Sequence, residues 1–260
     1  MNKNFKDYNR IFAFGCSCTN YFWPTWADII GTQAKEYYNY GRSGAGNLYI
    51  SNSIVEASIR HRINKDDLVL VMWSTISRED RYIKSDWLTP GNIYTQDTFS
   101  KEFVYKFADN KFYLMRDLGF IAMATEYIKN LNCEYKVFHM SPLVETQIKA
   151  GDVLINDWHS DITKFYKDVI NNLGPALNLT LFENGMWPQI PIKGWGGKGQ
   201  TADYHPTPGM YLEFIKKALP DFVVTKDMED FANEYNEKVL NSQTLDDTRQ
   251  YWPEKRVQRL

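Results

Sequence analysis

The chain has 260 residues, 43% of them hydrophobic, which is enough to bury the core of one large α/β domain and excludes a disordered protein. Its formal net charge of −2 excludes the strongly basic surface that nucleic acids or acidic membranes attract. The amino terminus lacks an apolar signal-peptide core, and no apolar run reaches the roughly 18 residues of a membrane span, so we expect a soluble, cytoplasmic protein.

Short apolar runs alternate with helical patterns along the first part of the chain. Strands are predicted at residues 10–15, 37–40, 66–73 and 135–140, and helices at 23–30, 48–63 and 118–130. This alternation predicts a parallel sheet with helices on both faces. The segment 74–117 is too long for an ordinary connection between a strand and a helix. We predict that it is an insertion that covers the functional site.

The second part of the chain is less regular. It is predicted to contain a helix, a last strand, a glycine-rich loop and a closing helix at residues 159–173, 179–182, 184–204 and 208–219. We interpret residues 1–222 as one α/β domain and 223–260 as a charged, largely helical extension. Residues 251–260 are expected to be exposed or to dock on a partner.

Small polar residues follow three of the predicted strands. Ser17, the loop 41–47 and Ser74 each lie just past a strand's end, and ligands of parallel sheets bind at that edge. Ser17 is therefore a candidate nucleophile, although small residues after a strand also form ordinary turns. The odd number of cysteines favours reduced thiols, and we interpret Cys16 and Cys18 as packing residues around this turn.

A serine nucleophile needs a base, which is most often histidine. The candidates are His61, His139, His159 and His205. His61 lies at a polar helix end and His139 in a predicted core strand. His159 lies outside the turns that follow the strands. His205 lies in a loop two residues after Asp203, whose carboxylate can orient the imidazole ring. Asp203 or Thr207 can equally cap the following helix.

Three segments resemble, in order and spacing, sequence blocks of the SGNH (GDSL-type) hydrolases. They are residues 15–19 (Gly-Cys-Ser-Cys-Thr), 39–44 (Asn-Tyr-Gly-Arg-Ser-Gly) and 203–206 (Asp-Tyr-His-Pro). The resemblance spans about residues 8–220. Members of that family are esterases, lipases and carbohydrate O-acetyl esterases with a flavodoxin-like, three-layer α/β/α fold, so the resemblance implies this fold and ester hydrolysis.

The resemblance also implies roles for single residues. Ser17 matches the nucleophile, His205 the base and Asp203 the acid that orients the base. The backbone N–H groups of Ser17 and Gly44 match two donors of the oxyanion hole. This chemistry requires no metal and no cofactor.

The chain departs from the family after the third strand, where the family has Gly-x-Asn-Asp and its asparagine is the third oxyanion donor. Residues 73–78 read Trp-Ser-Thr-Ile-Ser-Arg instead. The third donor stays open among Ser74, Thr75, Arg78 and Asn47. Two smaller departures are Cys16 in place of the aspartate before the serine, and Asp-x-His in place of the commoner Asp-x-x-His.

We therefore expect a serine esterase that forms an acyl-enzyme on Ser17, acting on a small-molecule or glycan ester. An O-acetyl group on a carbohydrate is the favoured substrate, because aromatic side chains suit sugar rings. The predicted substrate-binding residues are Trp73, Trp187 and Trp195. The alternative is a catalytically weak or inactive module that keeps the fold and binds a glycan, and an acyltransferase would use the same residues. The sequence does not indicate an oligomeric state.

Overall fold

The computed structural model describes residues 3–95, 98–141, 148–150, 153–155, 181 and 203–252. The strands in these ranges are β1 (Arg10–Phe14), β2 (Glu36–Asn39), β3 (Asp67–Trp73), β4 (Arg81–Ile83), β5 (Asp86–Leu88), β6 (Glu134–His139), β7 (Ile148–Ala150) and β8 (Val153–Ile155). The helices are α1 (Trp26–Gly31), α2 (Asn47–His61), α3 (Lys101–Phe107), α4 (Asn110–Lys129), α5 (Pro208–Ala218), α6 (Lys226–Asn241) and α7 (Leu245–Tyr251), and a 3-10 turn at Phe5–Asp7 precedes β1. No helix in the described part of the chain is long and apolar enough to cross a lipid bilayer.

Four strands form a parallel sheet in the order β2-β1-β3-β6, which confirms the predicted sheet. Every residue of β3 is buried, as expected for a central strand covered on both faces. The strand order is that of flavodoxin-like sheets. The chain leaves β1 for β2 on one side and later crosses to β3 on the other, so a crevice opens at the carboxyl ends of β1 and β3.

Helices cover the sheet in two layers. Helices α2 and α4 pack together, and α1, α5 and α6 form a second packed group. Phe138 of β6 meets Trp26 of α1 and Phe214 of α5 edge to face, with ring centroids 5.6 and 5.4 Å away. Residues next to Phe138 along β6 point to the opposite face. The three-layer α/β/α architecture is thereby confirmed.

The start of α2 depends on a residue from a distant loop. Gly46, at the N-cap, has no side chain to accept from the first turn of the helix. The Asp80 carboxylate takes that place, accepting from the N–H groups of Gly46 and Tyr49 at 2.9 Å each. Burial raises the pKa of Asp80, and these two hydrogen bonds act in the opposite direction. The segment after β3 is thus tied to the loop after β2.

The predicted insertion at residues 74–117 is more ordered than expected. It contains the β4–β5 hairpin and α3, and α4 begins at Asn110 rather than near Leu118. Asp109 sets this earlier start, because its side chain accepts from the N–H of Phe112 at 2.8 Å. The hairpin lies against the loop after β2, where Arg42 forms a two-point ion pair with Asp86.

The carboxyl-terminal region returns to the body of the protein. Helix α6 is the predicted charged helix, and it packs against α5 and α1. Trp252 is buried against Phe231 and Tyr235, so the prediction of an exposed or partner-bound end is wrong for this residue. The helix and strand predicted at 159–173 and 179–182, and most of the loop 184–204, lie outside the described residues. Leu181, which is described, donates its N–H to the carbonyl oxygen of His139 at 2.8 Å.

Candidate active site

The turn after β1 places a serine at the carboxyl edge of the sheet. Gly15 makes the turn possible, since a Cβ atom there would lie 2.0 Å from Thr19 Oγ1. Ser17 follows, with 7% of its surface exposed. Cys16 and Cys18 are buried free thiols, as the packing interpretation predicts.

Side-chain amides join this turn to the loop after β2. Asn39 Nδ2 donates to the carbonyl oxygen of Thr19 at 2.8 Å, and Asn20 Nδ2 donates to that of Gly41 at 3.1 Å. A further bond runs from the N–H of Arg42 to the carbonyl oxygen of Gly15 at 3.1 Å. These hydrogen bonds therefore fix the turn after β1 and the loop after β2 relative to each other.

The structure brings Ser17, His205 and Asp203 together. His205 Nε2 lies 2.8 Å from Ser17 Oγ, and His205 Nδ1 lies 2.9 Å from Asp203 Oδ1. The carboxylate can only accept, so Nδ1 is the donor, and in the neutral tautomer that this selects the lone pair of Nε2 faces the serine hydroxyl. This is the arrangement in which a serine can lose its proton to a base.

Asp203 is held by three donors. Besides Nδ1, Asp203 Oδ1 accepts from the backbone N–H of His205 at 2.8 Å, and Asp203 Oδ2 accepts from the Tyr21 hydroxyl at 2.5 Å. Burial raises the pKa of Asp203, but His205 and Tyr21 together outweigh burial and hold this pKa below its usual range. The carboxylate is therefore ionised at neutral pH. Thr207, rather than Asp203, caps the following helix α5.

Gly44 occupies a conformation that suits glycine. Its φ is +73°, and a Cβ atom there would lie 2.1 Å from the carbonyl oxygen of Thr89. Thr89 belongs to the segment after the β4–β5 hairpin, and its hydroxyl donates to the carbonyl oxygen of Ser43 at 2.8 Å. Among the described residues, no acceptor takes the N–H of Gly44 or that of Ser17. Within this part of the chain, both N–H groups are open to a ligand.

The structure separates the four candidates for the third donor. Asn47 is excluded, because its amide hydrogens go to Ser74 O at 3.2 Å and Asp117 Oδ2 at 3.0 Å, and its oxygen accepts from Ser74 N. The Ser74 hydroxyl is fully enclosed and unpartnered within the described residues. Thr75 is half-buried, and its hydroxyl oxygen accepts from Arg78 Nε at 3.1 Å.

Arg78 is a buried cation beside the site, with 9% of its surface exposed. Its Nη1 donates to the carbonyl oxygen of Ala45 at 2.9 Å, next to Gly44. Its Nη2 lies 3.9 Å from Met140 Sδ, which in turn lies 3.4 Å from Cys16 Sγ, next to Ser17. The guanidinium thus contacts the residue next to Gly44 directly and the residue next to Ser17 only through Met140. It forms no ion pair with any described carboxylate.

The prediction that Trp73 binds substrate is wrong. Trp73 is the last residue of β3, and none of its surface is exposed. Helices cover both faces of the sheet at β3, so the side chain is enclosed on whichever face it lies. Trp187 and Trp195, the other two predicted contacts, lie outside the described residues.

No described contact joins any of the other three histidines to Ser17. His139 is fully buried, and burial lowers its pKa to about 3, as expected for a core histidine. His61 is half-buried rather than solvated, because its Nε2 lies 2.9 Å from the Tyr40 hydroxyl. His159 lies outside the described residues.

Several solved structures resemble the chain at low sequence identity. A member of the lipolytic protein G-D-S-L family from Veillonella parvula covers 81% of this chain and 96% of its own, at 14% identity and a TM-score of 0.42. A GDSL-like lipase from Bacteroides thetaiotaomicron covers 85% and 88%, at 13% identity and a TM-score of 0.39. A catalytic mutant of an acetylxylan esterase from Geobacillus stearothermophilus covers 84% and 97%, at 12% identity and a TM-score of 0.39.

The chain is similar to GDSL-type lipolytic proteins. No protein-family model matches the sequence, and neither does any curated protein sequence. Structural similarity at this low sequence identity does not define an activity or a substrate. Both are inferred from the geometry around Ser17.

Sequence reasoning missed Tyr21 and Asp80. Tyr21 contacts Asp203 and His205, although 182 positions separate it from Asp203. No pattern among neighbouring residues predicts a contact over that separation. Asp80 caps a helix whose N-cap residue, Gly46, lies 34 positions earlier. A capping search restricted to neighbouring residues cannot find it.

Proposed function

We propose that the protein is a serine ester hydrolase that forms an acyl-enzyme on Ser17. The observation that carries this proposal is the continuous line of contacts from Ser17 Oγ through the His205 imidazole to Asp203, with distances of 2.8 and 2.9 Å. A hydroxyl beside an acceptor nitrogen, whose ring is oriented by an ionised carboxylate, is the arrangement of an activated nucleophile.

The reaction has two halves. Ser17 Oγ bonds to the acyl carbon while His205 Nε2 takes the hydroxyl proton, and the carbonyl oxygen becomes an oxyanion. The oxyanion collapses, the bond to the alcohol oxygen breaks, and His205 returns the proton to the leaving alcohol. A water molecule then attacks the acyl-enzyme with His205 again as base, which releases the acid and restores Ser17.

The oxyanion hole comprises the N–H groups of Ser17 and Gly44, with the Arg78 guanidinium as the third interaction and Thr75 as its partner. Arg78 supports this assignment because a buried guanidinium that forms no ion pair with a described carboxylate suits a site where negative charge develops. The cation replaces the asparagine that is missing from residues 73–78.

The predicted substrate class depends on aromatic side chains near the site. An O-acetyl group on a carbohydrate stays a prediction, because Trp73 is enclosed and the two other tryptophans lie outside the described residues. Transfer to an acceptor other than water would use the same first half-reaction.

A fluorophosphonate probe tests the proposal directly, because it forms a covalent bond only with an activated serine. We expect mass spectrometry to find one phosphonylated peptide, carrying the probe on Ser17, and the Ser17→Ala variant to stay unmodified. Ser43→Ala is the matched control, since Ser43 is an exposed serine of the neighbouring loop, and it should label like the native protein. Absence of labelling on Ser17 in the folded native protein would favour the alternative of an inactive binding module.

Removing the charge of Arg78 tests the third oxyanion interaction. Arg78→Met is expected to lower kcat for p-nitrophenyl acetate by about 10²-fold, the typical loss for one oxyanion donor. KM should change little, and Arg78→Lys should recover part of kcat because it keeps the positive charge. Arg81→Met, which removes a neighbouring exposed arginine, is the control for general electrostatics. Native kcat in a folded Arg78→Met protein would exclude the role.

A further inference from the structure

Tyr21 contacts both partners of the proposed nucleophile. It lies four residues after Ser17, and its side chain is buried. Its hydroxyl donates to Asp203 Oδ2 at 2.5 Å. Its ring lies nearly parallel to the His205 imidazole, with centroids 3.6 Å apart and an interplanar angle of 18°.

We propose that Tyr21 is a positioning residue that holds Asp203 and His205 in line with Ser17. This inference rests on the proposed function. The segment that carries the nucleophile thus also aligns its base, although the two lie at opposite ends of the chain.

The hydroxyl of Tyr21 fixes the carboxylate. His205 occupies only Asp203 Oδ1, through its backbone N–H and its Nδ1. Without Tyr21, Asp203 Oδ2 would have no donor among the described residues, and a buried carboxylate with a free oxygen turns toward any other donor. Burial, followed by the charge and hydrogen bond of Asp203, raises the pKa of Tyr21 far above its usual range. The phenol therefore remains a donor at neutral pH.

The ring of Tyr21 fixes the imidazole. A flat surface 3.6 Å from the His205 ring prevents the ring from turning away from Ser17. The same aromatic face favours the imidazolium that forms when His205 takes the serine proton, because the face of an aromatic ring attracts a cation. Tyr21 therefore stabilises the transition state more than the resting site.

Trp23 supports the same loop from the backbone side. Its Nε1 donates to the carbonyl oxygen of Pro206 at 2.8 Å. It meets the Tyr21 ring edge to face, with centroids 4.7 Å apart and an angle of 84°. Tyr21 thus holds the side chains of Asp203 and His205, and Trp23 holds the backbone of the same loop.

Two variants separate the hydroxyl of Tyr21 from its ring. Tyr21→Phe keeps the ring and is expected to lower kcat for p-nitrophenyl acetate by about tenfold, from the loss of a hydrogen bond to a charged group. Tyr21→Leu loses both contacts and is expected to lower kcat by about 10²-fold or more, with KM changed by less than about threefold in both variants. Tyr8→Phe is the matched control, since the Tyr8 hydroxyl also donates to a carboxylate, that of Glu134, but at the opposite edge of the sheet.

Proton NMR of the histidine side chains gives a readout that does not depend on activity. Ring current from Tyr21 should move the His205 imidazole protons upfield in the native protein and in Tyr21→Phe, and this shift should vanish in Tyr21→Leu. Comparison with a His205→Gln spectrum assigns the resonances. Thermal unfolding shows that each variant is folded.

The outcomes distinguish this inference from the proposed function. If both Tyr21 variants keep the kcat of Tyr8→Phe while Ser17→Ala is inactive, Tyr21 has no positioning role and the esterase proposal stands. If the native protein neither hydrolyses the ester nor labels on Ser17, the esterase proposal fails, and the NMR comparison alone decides whether Tyr21 orients His205. Unshifted His205 protons in the native protein would overturn the inference.

Discussion

Replacing Ser17 or His205 with alanine is expected to lower kcat/KM for p-nitrophenyl acetate by about 10⁴-fold or more, and the double variant should be hardly worse than either. The physical reason is that the hydroxyl and the imidazole act as one unit across 2.8 Å. A nucleophile without its base keeps its proton, and a base without the nucleophile has no proton to take. Steady-state rates of the two single variants and the double variant check this non-additivity.

His61→Ala is the control for the loss of a histidine as such. His61 is half-buried at the end of α2, and its Nε2 lies 2.9 Å from the Tyr40 hydroxyl. We expect its kcat/KM to stay close to that of the native protein. Losses that simply add in the double variant would mean that Ser17 and His205 act on separate steps, which contradicts the proposed mechanism.

The Gly44→Ala variant is expected to lose about 10²- to 10³-fold in kcat, because its N–H donor would leave the position of the oxyanion. A Cβ atom at this position would lie 2.1 Å from the backbone oxygen of Thr89, so the loop or the hairpin segment has to move. The left-handed backbone, at a φ of +73°, adds roughly 1–2 kcal/mol of strain for any residue with a side chain. Kinetics and thermal unfolding together measure both effects.

Gly119→Ala is a matched glycine control. Gly119 lies within α4, and a Cβ atom there would contact nothing within 4 Å. Alanine should therefore leave kcat unchanged and stabilise the helix by up to about 1 kcal/mol. An unchanged kcat in Gly44→Ala, with the protein folded, would show that the Gly44 N–H does not bind the oxyanion.

The region after β3 shows where residue type alone misleads. Asn47 has the chemistry of the missing oxyanion donor and begins α2, directly after the adjacent loop, but its amide is fully engaged by Ser74 and Asp117. Asp117 lies on α4, and burial raises its pKa to about 6, with Arg116 and Asn47 acting in the opposite direction. Such a network joins three elements, so the sequence of any one of them does not reveal it.

The sequence by itself determined the class of fold and the segments that meet at the sheet edge. Continuous apolar runs, glycine turns and the two-residue spacing of Asp203 and His205 are local properties, and local properties can be read from neighbouring residues. Only the tertiary structure decided which of the described donors lack a described acceptor, that Trp73 is enclosed, and that Tyr21 spans 182 positions to reach Asp203. These outcomes depend on which way each side chain points once distant segments pack, and a linear pattern does not contain that direction.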